Sequence, residues 1–190
     1  MRVIAGTAGG LRLVAPRDRA TRPVTDRVKE TCFAILGRHV EGARVLDLYA
    51  GSGSLGIEAL SRGAIACLFV ERAPAAVETI RVNLRQTHLA DLAELRTMAV
   101  DRFLAGVAGR QFDLVFLDPP YAEHAILGRL EQVMPVLARG AVVVVKHFWR
   151  TVIPEPAGMT ASRQRRFGET CLTFLVQADP ASSPASETGA

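Results

Sequence analysis

Lysine is nearly absent from this sequence. Of 23 cationic residues only Lys29 and Lys146 are lysines, so the positive charge is carried by arginine. Cysteine is scarce as well: Cys32, Cys67 and Cys171 stand far apart, with no CxxC pair and no Cys/His cluster. That spacing argues against a disulfide framework and a metal site, and leaves three small apolar fillers. Apolar runs such as Ala141–Val145 are too short to cross a bilayer, so no membrane partner is expected. Met1–Gly6 contains no apolar h-region, so a secretory signal is not expected and the reading is of a cytoplasmic protein. Glycine numbers 16 and follows no three-residue period, which excludes a collagen-like chain.

What is present suits one globular domain with a small appendage. The chain has 190 residues, 49% of them apolar and 22% charged, enough for a core of ordinary size. The net charge is +4, and the arginines are uneven. Arg2, Arg12, Arg17, Arg19, Arg22 and Arg27 crowd the first thirty residues, and Arg163, Arg165 and Arg166 form a second group. Such clusters fit a polyanion, since the guanidinium fork matches phosphate; a solvated basic face is the plainer alternative.

Periodicity divides the chain into three parts: an N-terminal hairpin and helix over 1–39, an α/β domain over 40–178, and a disordered tail over 179–190. The hairpin is read from Arg2–Ala5 and Leu11–Val14 around Gly9-Gly10. Thr25 looks like an N-cap, followed by Val28, Cys32, Ile35 and Leu36 at helical spacing up to Gly37. Beyond Arg44, strands at 45–49, 66–71, 93–98, 113–117 and 141–146 alternate with helices at 55–62, 74–87, 102–107 and 124–137, the last stopped at Gly140. Strands at 163–166 and 171–176 form an antiparallel hairpin, because no helix separates them. The repeated β-α units predict a doubly wound, mostly parallel sheet, with ligands at the carboxyl ends of its strands.

Those ends carry the chemistry. The first strand runs into Asp47-Leu48-Tyr49-Ala50-Gly51-Ser52-Gly53-Ser54-Leu55-Gly56, which satisfies GxGxxG. Glycines there allow a tight turn and close ligand approach at a helix N-terminus. A dinucleotide pyrophosphate is the default occupant. Asp47 points elsewhere, because a carboxylate repels phosphate and suits a cationic ligand such as S-adenosylmethionine. Glu71, ending the second strand with Arg72 after it, could accept hydrogen bonds from ribose hydroxyls or serve the Pro74 helix. Asp101 could meet an adenine amino group or cap the next helix.

The fourth strand ends in Asp118-Pro119-Pro120-Tyr121. Two prolines hold the backbone extended and remove two donors, leaving carbonyls free to accept. Asp118 adds an acceptor and Tyr121 a face for stacking, a combination fitted to a planar group bearing an exocyclic amine.

This set resembles the class I adenosylmethionine-dependent N-methyltransferases, whose hallmark is (Asp/Asn)-Pro-Pro-(Tyr/Phe). More narrowly, Arg2–Gly10, Thr21–Glu30, Asp47–Gly63 and Gly168-Glu169-Thr170 are similar to the bacterial enzymes that methylate a guanine N2 in 16S ribosomal RNA. The resemblance runs from residue 1 to about 177. It implies a Rossmann-like α/β fold with a seven-stranded, mostly parallel sheet, one strand antiparallel, plus the N-terminal hairpin and helix extension.

The same resemblance implies roles. S-adenosylmethionine would lie against Asp47, Tyr49, Ala50, Gly51, Ser52, Gly53, Glu71, Arg72, Val100 and Asp101, with Thr25 and Arg27 closing over it. Asp118, Pro119, Pro120 and Tyr121 would hold the target guanine. Arg12, Arg17, Arg19, Arg22, Arg163, Arg165 and Arg166 would meet the partner, 16S rRNA or a small-subunit assembly intermediate. A monomer is expected. Two positions depart from the family pattern: Ala99-Val100 stand where Asp or Asn followed by Ala is usual, and Lys146 stands where Glu is common. Three other readings remain. A DNA adenine enzyme would need a recognition domain that 190 residues leave no room for, a protein-glutamine enzyme would not need the basic N-terminus, and a non-catalytic RNA-binding protein would not need the intact acidic set.

Overall fold

Short runs of Val, Leu and Phe between Gly and Pro breaks become strands wherever both faces can be covered. In the computed structural model, residues 1–15, 25–107, 109–119 and 126–177 are described. The expectations placed on Arg17, Arg19, Arg22, Pro120, Tyr121 and the tail at 179–190 lie outside them.

Helix α1 spans Asp26–Leu36, and Thr25 caps it by accepting from the Val28 amide at 3.4 Å. Then follow β1 (Arg44–Leu48), α2 (Ser54–Ser61), β2 (Ala66–Glu71), α3 (Pro74–Thr87), β3 (Ala93–Thr97), α4 (Val100–Gly106), β4 (Phe112–Leu117), α5 (Ile126–Val133), β5 (Leu137–Phe148), β6 (Met159–Phe167) and β7 (Thr170–Gln177). Among the described residues the seven strands make one sheet in the order β3-β2-β1-β4-β5-β7-β6. The first five are parallel, and β7 runs antiparallel to both β5 and β6. The fold class expected from the sequence is the one found.

Alternation along the central strands divides the core in two. Leu114 and Phe116 face α1, α2 and α3 with Phe33, Ile57 and Ile80. Val115 and Leu117 face α4 and α5 with Leu104 and Leu130. Cys32, Cys67 and Cys171 are free and buried.

Three local expectations are corrected. The helix expected over 124–137 ends at Val133, passes through a tight turn at Met134–Val136, and gives way to β5 at Leu137. Pro135 cannot sit inside an α-helix. Gly140, read as the helix stop, lies within β5 at φ 79°, where β5 slips against β4 between Phe112 and Leu114. Helix α4 begins at Val100 rather than Arg102, after Ala99 in extended conformation. The N-terminal hairpin closes through a single bridge, Arg2 to Arg12. Its ladder stops because the Ile4 and Ala5 amides donate instead to Glu58, at 2.7 and 3.1 Å.

That carboxylate clasps the N-terminal segment to the domain. Glu58 also accepts from Lys29 Nζ at 3.2 Å and Arg62 Nε at 2.8 Å, and the Lys29 and Glu58 side chains are fully buried. Lys29 Nζ donates in addition to the Arg2 carbonyl. Ser61 completes the clasp: its Oγ accepts from the Ala8 amide at 3.0 Å and its carbonyl from the Thr7 amide at 2.8 Å. Gly6, at φ 86°, lies so close that a Cβ there would sit 1.8 Å from the Ser61 carbonyl oxygen.

Candidate active site

The parallel strands β1 to β5 all point their carboxyl ends to one rim of the sheet, and the acidic residues singled out by the sequence gather there. Asp47 is buried in β1, and its Oδ2 accepts from the Gly56 amide at 2.9 Å. Burial raises its pKa well above the usual carboxylate range; the Gly56 amide opposes this, and the Asp118 and Glu71 charges reinforce it. Tyr49 turns the chain at φ 60°, a conformation rarely adopted by a bulky residue, and its hydroxyl accepts from Arg129 Nε at 3.0 Å. Gly51 and Gly53 follow at φ 57° and 74°, and the Gly53 amide closes the turn on Ala50. Gly56 admits the sheet, since a Cβ there would lie 2.3 Å from the Phe69 ring.

Glu71 holds this turn from β2. One oxygen accepts from the Gly51 amide at 3.0 Å and the other from the Ala73 amide at 2.9 Å. Of the two roles weighed from the sequence, the structure shows the one at the entry to α3, and it adds a bond to the glycine turn that the sequence did not indicate. Arg72 beside it is exposed. At the end of β3, Met98 donates to the Glu71 carbonyl, Val100 is buried, and Asp101 is exposed within 3.8 Å of Arg129. Asp101 is thus in the first turn of α4, and Ala99 is the cap.

At the end of β4 the Asp118 amide meets the Leu48 carbonyl at 3.5 Å, which ties β4 to the start of the glycine turn. Its carboxylate accepts from Lys146 Nζ, at 2.7 Å on one oxygen and 2.8 Å on the other. Burial raises the Asp118 pKa and the Lys146 ammonium opposes the rise, although the carboxylate remains 20% exposed. Pro119 is buried behind it. Lys146 itself is buried near the carboxyl end of β5.

Two residues that hold this rim escaped the sequence reading, and a third was seen only in part. Lys146 was visible as a departure, but its partner was not. Arg129 ties Tyr49 to Asp101 from α5. Asn83, fully buried in α3, donates to the carbonyls of Val14 and Ser52 at 3.0 and 2.9 Å and accepts from the Val14 amide at 2.7 Å. It fastens the glycine turn to the N-terminal segment. Of the residues proposed from the N-terminus, Thr25 caps α1, Arg27 is exposed on its first turn, and Arg12 is exposed in the hairpin. Arg163, Arg165 and Arg166 are exposed on β6. A surface cavity lined by Arg44, Ile65, Leu92 and Pro135 opens at the opposite, amino end of the strands.

The donor set tests which cofactor fits. A pyrophosphate at a glycine turn needs free amides, yet Gly51 donates to Glu71 and Gly56 to Asp47. With those amides held by carboxylates, the rim is suited to a ligand carrying positive charge and hydroxyl donors. Sheet order and rim together define a Rossmann-like methyltransferase. The chain belongs to the family described as Conserved hypothetical protein 95, whose profile matches residues 1–176. It is similar to YlbH of Bacillus subtilis, with 39% identity over 90% of this chain and 95% of that one. It is also similar to Ribosomal RNA small subunit methyltransferase D of Escherichia coli K12, with 32% identity over 89% and 86%. The structure of the Escherichia coli protein yhhF superposes at a TM-score of 0.82 with 30% identity, covering 93% of this chain and 97% of that one.

Proposed function

We propose that the protein transfers a methyl group from S-adenosylmethionine to the exocyclic N2 amine of a guanine in 16S ribosomal RNA. The observation that carries this reading is the placement of Asp118-Pro119 at the end of β4, beside a glycine turn whose amides are taken by carboxylates. The name carried by the Escherichia coli relative supports the substrate class.

Bound S-adenosylmethionine supplies an electrophilic methyl group on a sulfonium. The residues that would hold it are Asp47, Tyr49, Ala50, Gly51, Ser52, Gly53, Glu71, Arg72, Val100 and Asp101, with Thr25 and Arg27 at the N-terminal side. Glu71 keeps lone pairs for ribose hydroxyls while its two amide bonds fix its orientation. The guanine amine is a weak nucleophile because its lone pair is delocalised into the ring. Asp118 and the Pro119 carbonyl accept its hydrogens, favour a tetrahedral nitrogen and hold it in line. Positioning and fixed dipoles supply most of the acceleration. Nitrogen gains the methyl group and loses a proton, to Asp118 or to solvent; a carboxylate with a raised pKa is the better acceptor. Tyr121 stacks on the extruded base. Arg12, Arg17, Arg19, Arg22 and the β6 arginines meet RNA phosphates. The protein acts as a cytoplasmic monomer on 16S rRNA or a small-subunit assembly intermediate.

The test is methylation of small-subunit particles lacking the modification, with labelled S-adenosylmethionine, followed by digestion to nucleosides. Label in N2-methylguanosine, lost in Asp118→Ala, is the expected result. Label in another nucleoside or in protein overturns the guanine assignment.

A further inference from the structure

Beyond the last residue of β5 lies a cluster that methyl transfer does not use. Trp149 is half-buried, and its amide donates at 3.0 Å to the Glu169 carbonyl in the turn between β6 and β7. The Arg166 guanidinium lies over the indole with Cζ 3.8 Å from the ring centroid, and Arg150 Cζ lies 4.7 Å from it. Phe148 tilts against the same ring at 6.1 Å. Arg166 is fixed in place, since its Nε donates to the Gly168 carbonyl at 2.8 Å.

This arrangement differs from an aromatic used as core filling. A packed indole is covered by apolar side chains, whereas this one is half exposed and covered by two cations. Arg163 and Arg165 extend the positive surface along β6. The cluster follows directly on the strand that serves the candidate site, Trp149 standing three residues along the chain beyond Lys146, whose ammonium holds Asp118.

We propose that Trp149, Arg150 and Arg166 form a docking platform for a nucleotide of single-stranded RNA flanking the target guanine. An aromatic face beside guanidinium groups meets both parts of a nucleotide. A base stacks on the ring regardless of its identity, in place of the exposed Arg150, whose fork turns to the phosphate, while Arg166 stays anchored at the ring. The platform grips the strand next to the reacting base, so it serves RNA affinity and leaves the cofactor to the strand ends. The inference rests on the RNA reading of the preceding subsection.

Trp149 is the single tryptophan of the chain, so intrinsic indole emission reports on this ring alone. The experiment titrates the full-length protein with a mixed-sequence single-stranded RNA and, separately, with inorganic polyphosphate, which has the charge but no bases. The expected result is quenching by RNA and little change with polyphosphate. Trp149→Ala weakens RNA binding about tenfold, the size of one base stack, and Trp149→Phe recovers part of the loss. The same variants raise the KM for RNA while the Kd for S-adenosylmethionine stays at the wild-type value. RNA that binds without changing the emission, equal quenching by polyphosphate, or wild-type RNA affinity in Trp149→Ala each overturns the platform. The wild-type nucleoside assay separates the two claims. Guanine methylation without an emission change removes the platform alone, and quenching without guanine methylation removes the proposed reaction and keeps the platform.

Discussion

Lys146 donates to both carboxylate oxygens of Asp118, at 2.7 and 2.8 Å, from the strand next to the one that carries the acid. The family resemblance singles out Lys146, and the geometry shows what the lysine does here. It puts a counter-charge on the group proposed to hold the target amine. The pair competes with burial over the ionisation of Asp118, burial being the larger effect.

That competition predicts a pH effect. Ionised Asp118 is the stronger acceptor for the amine and the only form that can take up its proton, so methylation should fall as pH drops through its raised pKa. Removing the ammonium in Lys146→Met takes away the opposing influence and raises that pKa further. The acid limb of the kcat/KM profile should move to higher pH in the variant, with lower activity at neutral pH. An acid limb that stays in place assigns it to another group.

The clasp between Lys29 and Glu58 makes a second prediction. Both side chains are fully buried, and burial lowers the Lys29 pKa against the pull of Glu58. Lys29→Met leaves Glu58 buried with fewer partners, a loss of about 3 kcal/mol in the range seen when one member of a buried pair is removed. Urea unfolding should show the midpoint fall with an unchanged slope. A loss below about 1 kcal/mol would mean that Arg62 and the two amides suffice for Glu58.

Asn83 gives a third. Asn83→Ala strands the Val14 amide and two carbonyls, at a cost of about 1–3 kcal/mol, and frees Ser52 in the glycine turn. S-adenosylmethionine should bind several-fold more weakly by calorimetry. Wild-type affinity in this variant would show that the turn holds its shape without the clamp.

His147 gives a fourth. It is buried, its Nδ1 lies 2.9 Å from the Phe148 carbonyl and its Nε2 2.9 Å from the Thr173 hydroxyl. Burial lowers its pKa below 6.5, with the Phe148 contact opposing. The fold therefore favours neutral imidazole, while the unfolded chain takes up a proton first as pH falls. The stability from this group is complete above the unfolded pKa, about 6.5, and is lost as pH falls below that value toward the folded one. The unfolding midpoint of wild type should drop more steeply between pH 7 and 5 than that of His147→Gln. Parallel slopes would assign the acid sensitivity to other groups.

Much of this was legible in the chain itself, for local reasons. β2 and α3 are bounded as the apolar run 66–71 and the Pro74 start indicate, because strand pattern and first-turn proline are nearest-neighbour signals. The cap at Thr25 is of the same kind. The acidic rim was visible because topology forces strand ends together. The 124–140 region was misread because a helical pattern there is cut by Pro135, and a glycine that resembled a helix stop serves a bulge instead. The pairs Lys146–Asp118, Asn83–Val14 and Arg129–Tyr49 join residues 28, 69 and 80 positions apart, and no local pattern marks the pairing.

Vectorial synthesis gives the Glu58 clasp a fixed schedule. Lys29 is made 29 residues before its counter-charge, and Ile4 is made 54 residues before the carboxylate that takes its amide. The first segment of the nascent chain has nothing to close on until the helix bearing Glu58 and Ser61 has emerged. It waits as an open arm while the first strand and the glycine turn are laid down, and then shuts over them from outside. The oldest part of the chain therefore cannot reach its native place before Glu58 and Ser61 have emerged, and a nascent chain stalled before Glu58 would present Lys29 as an unburied charge.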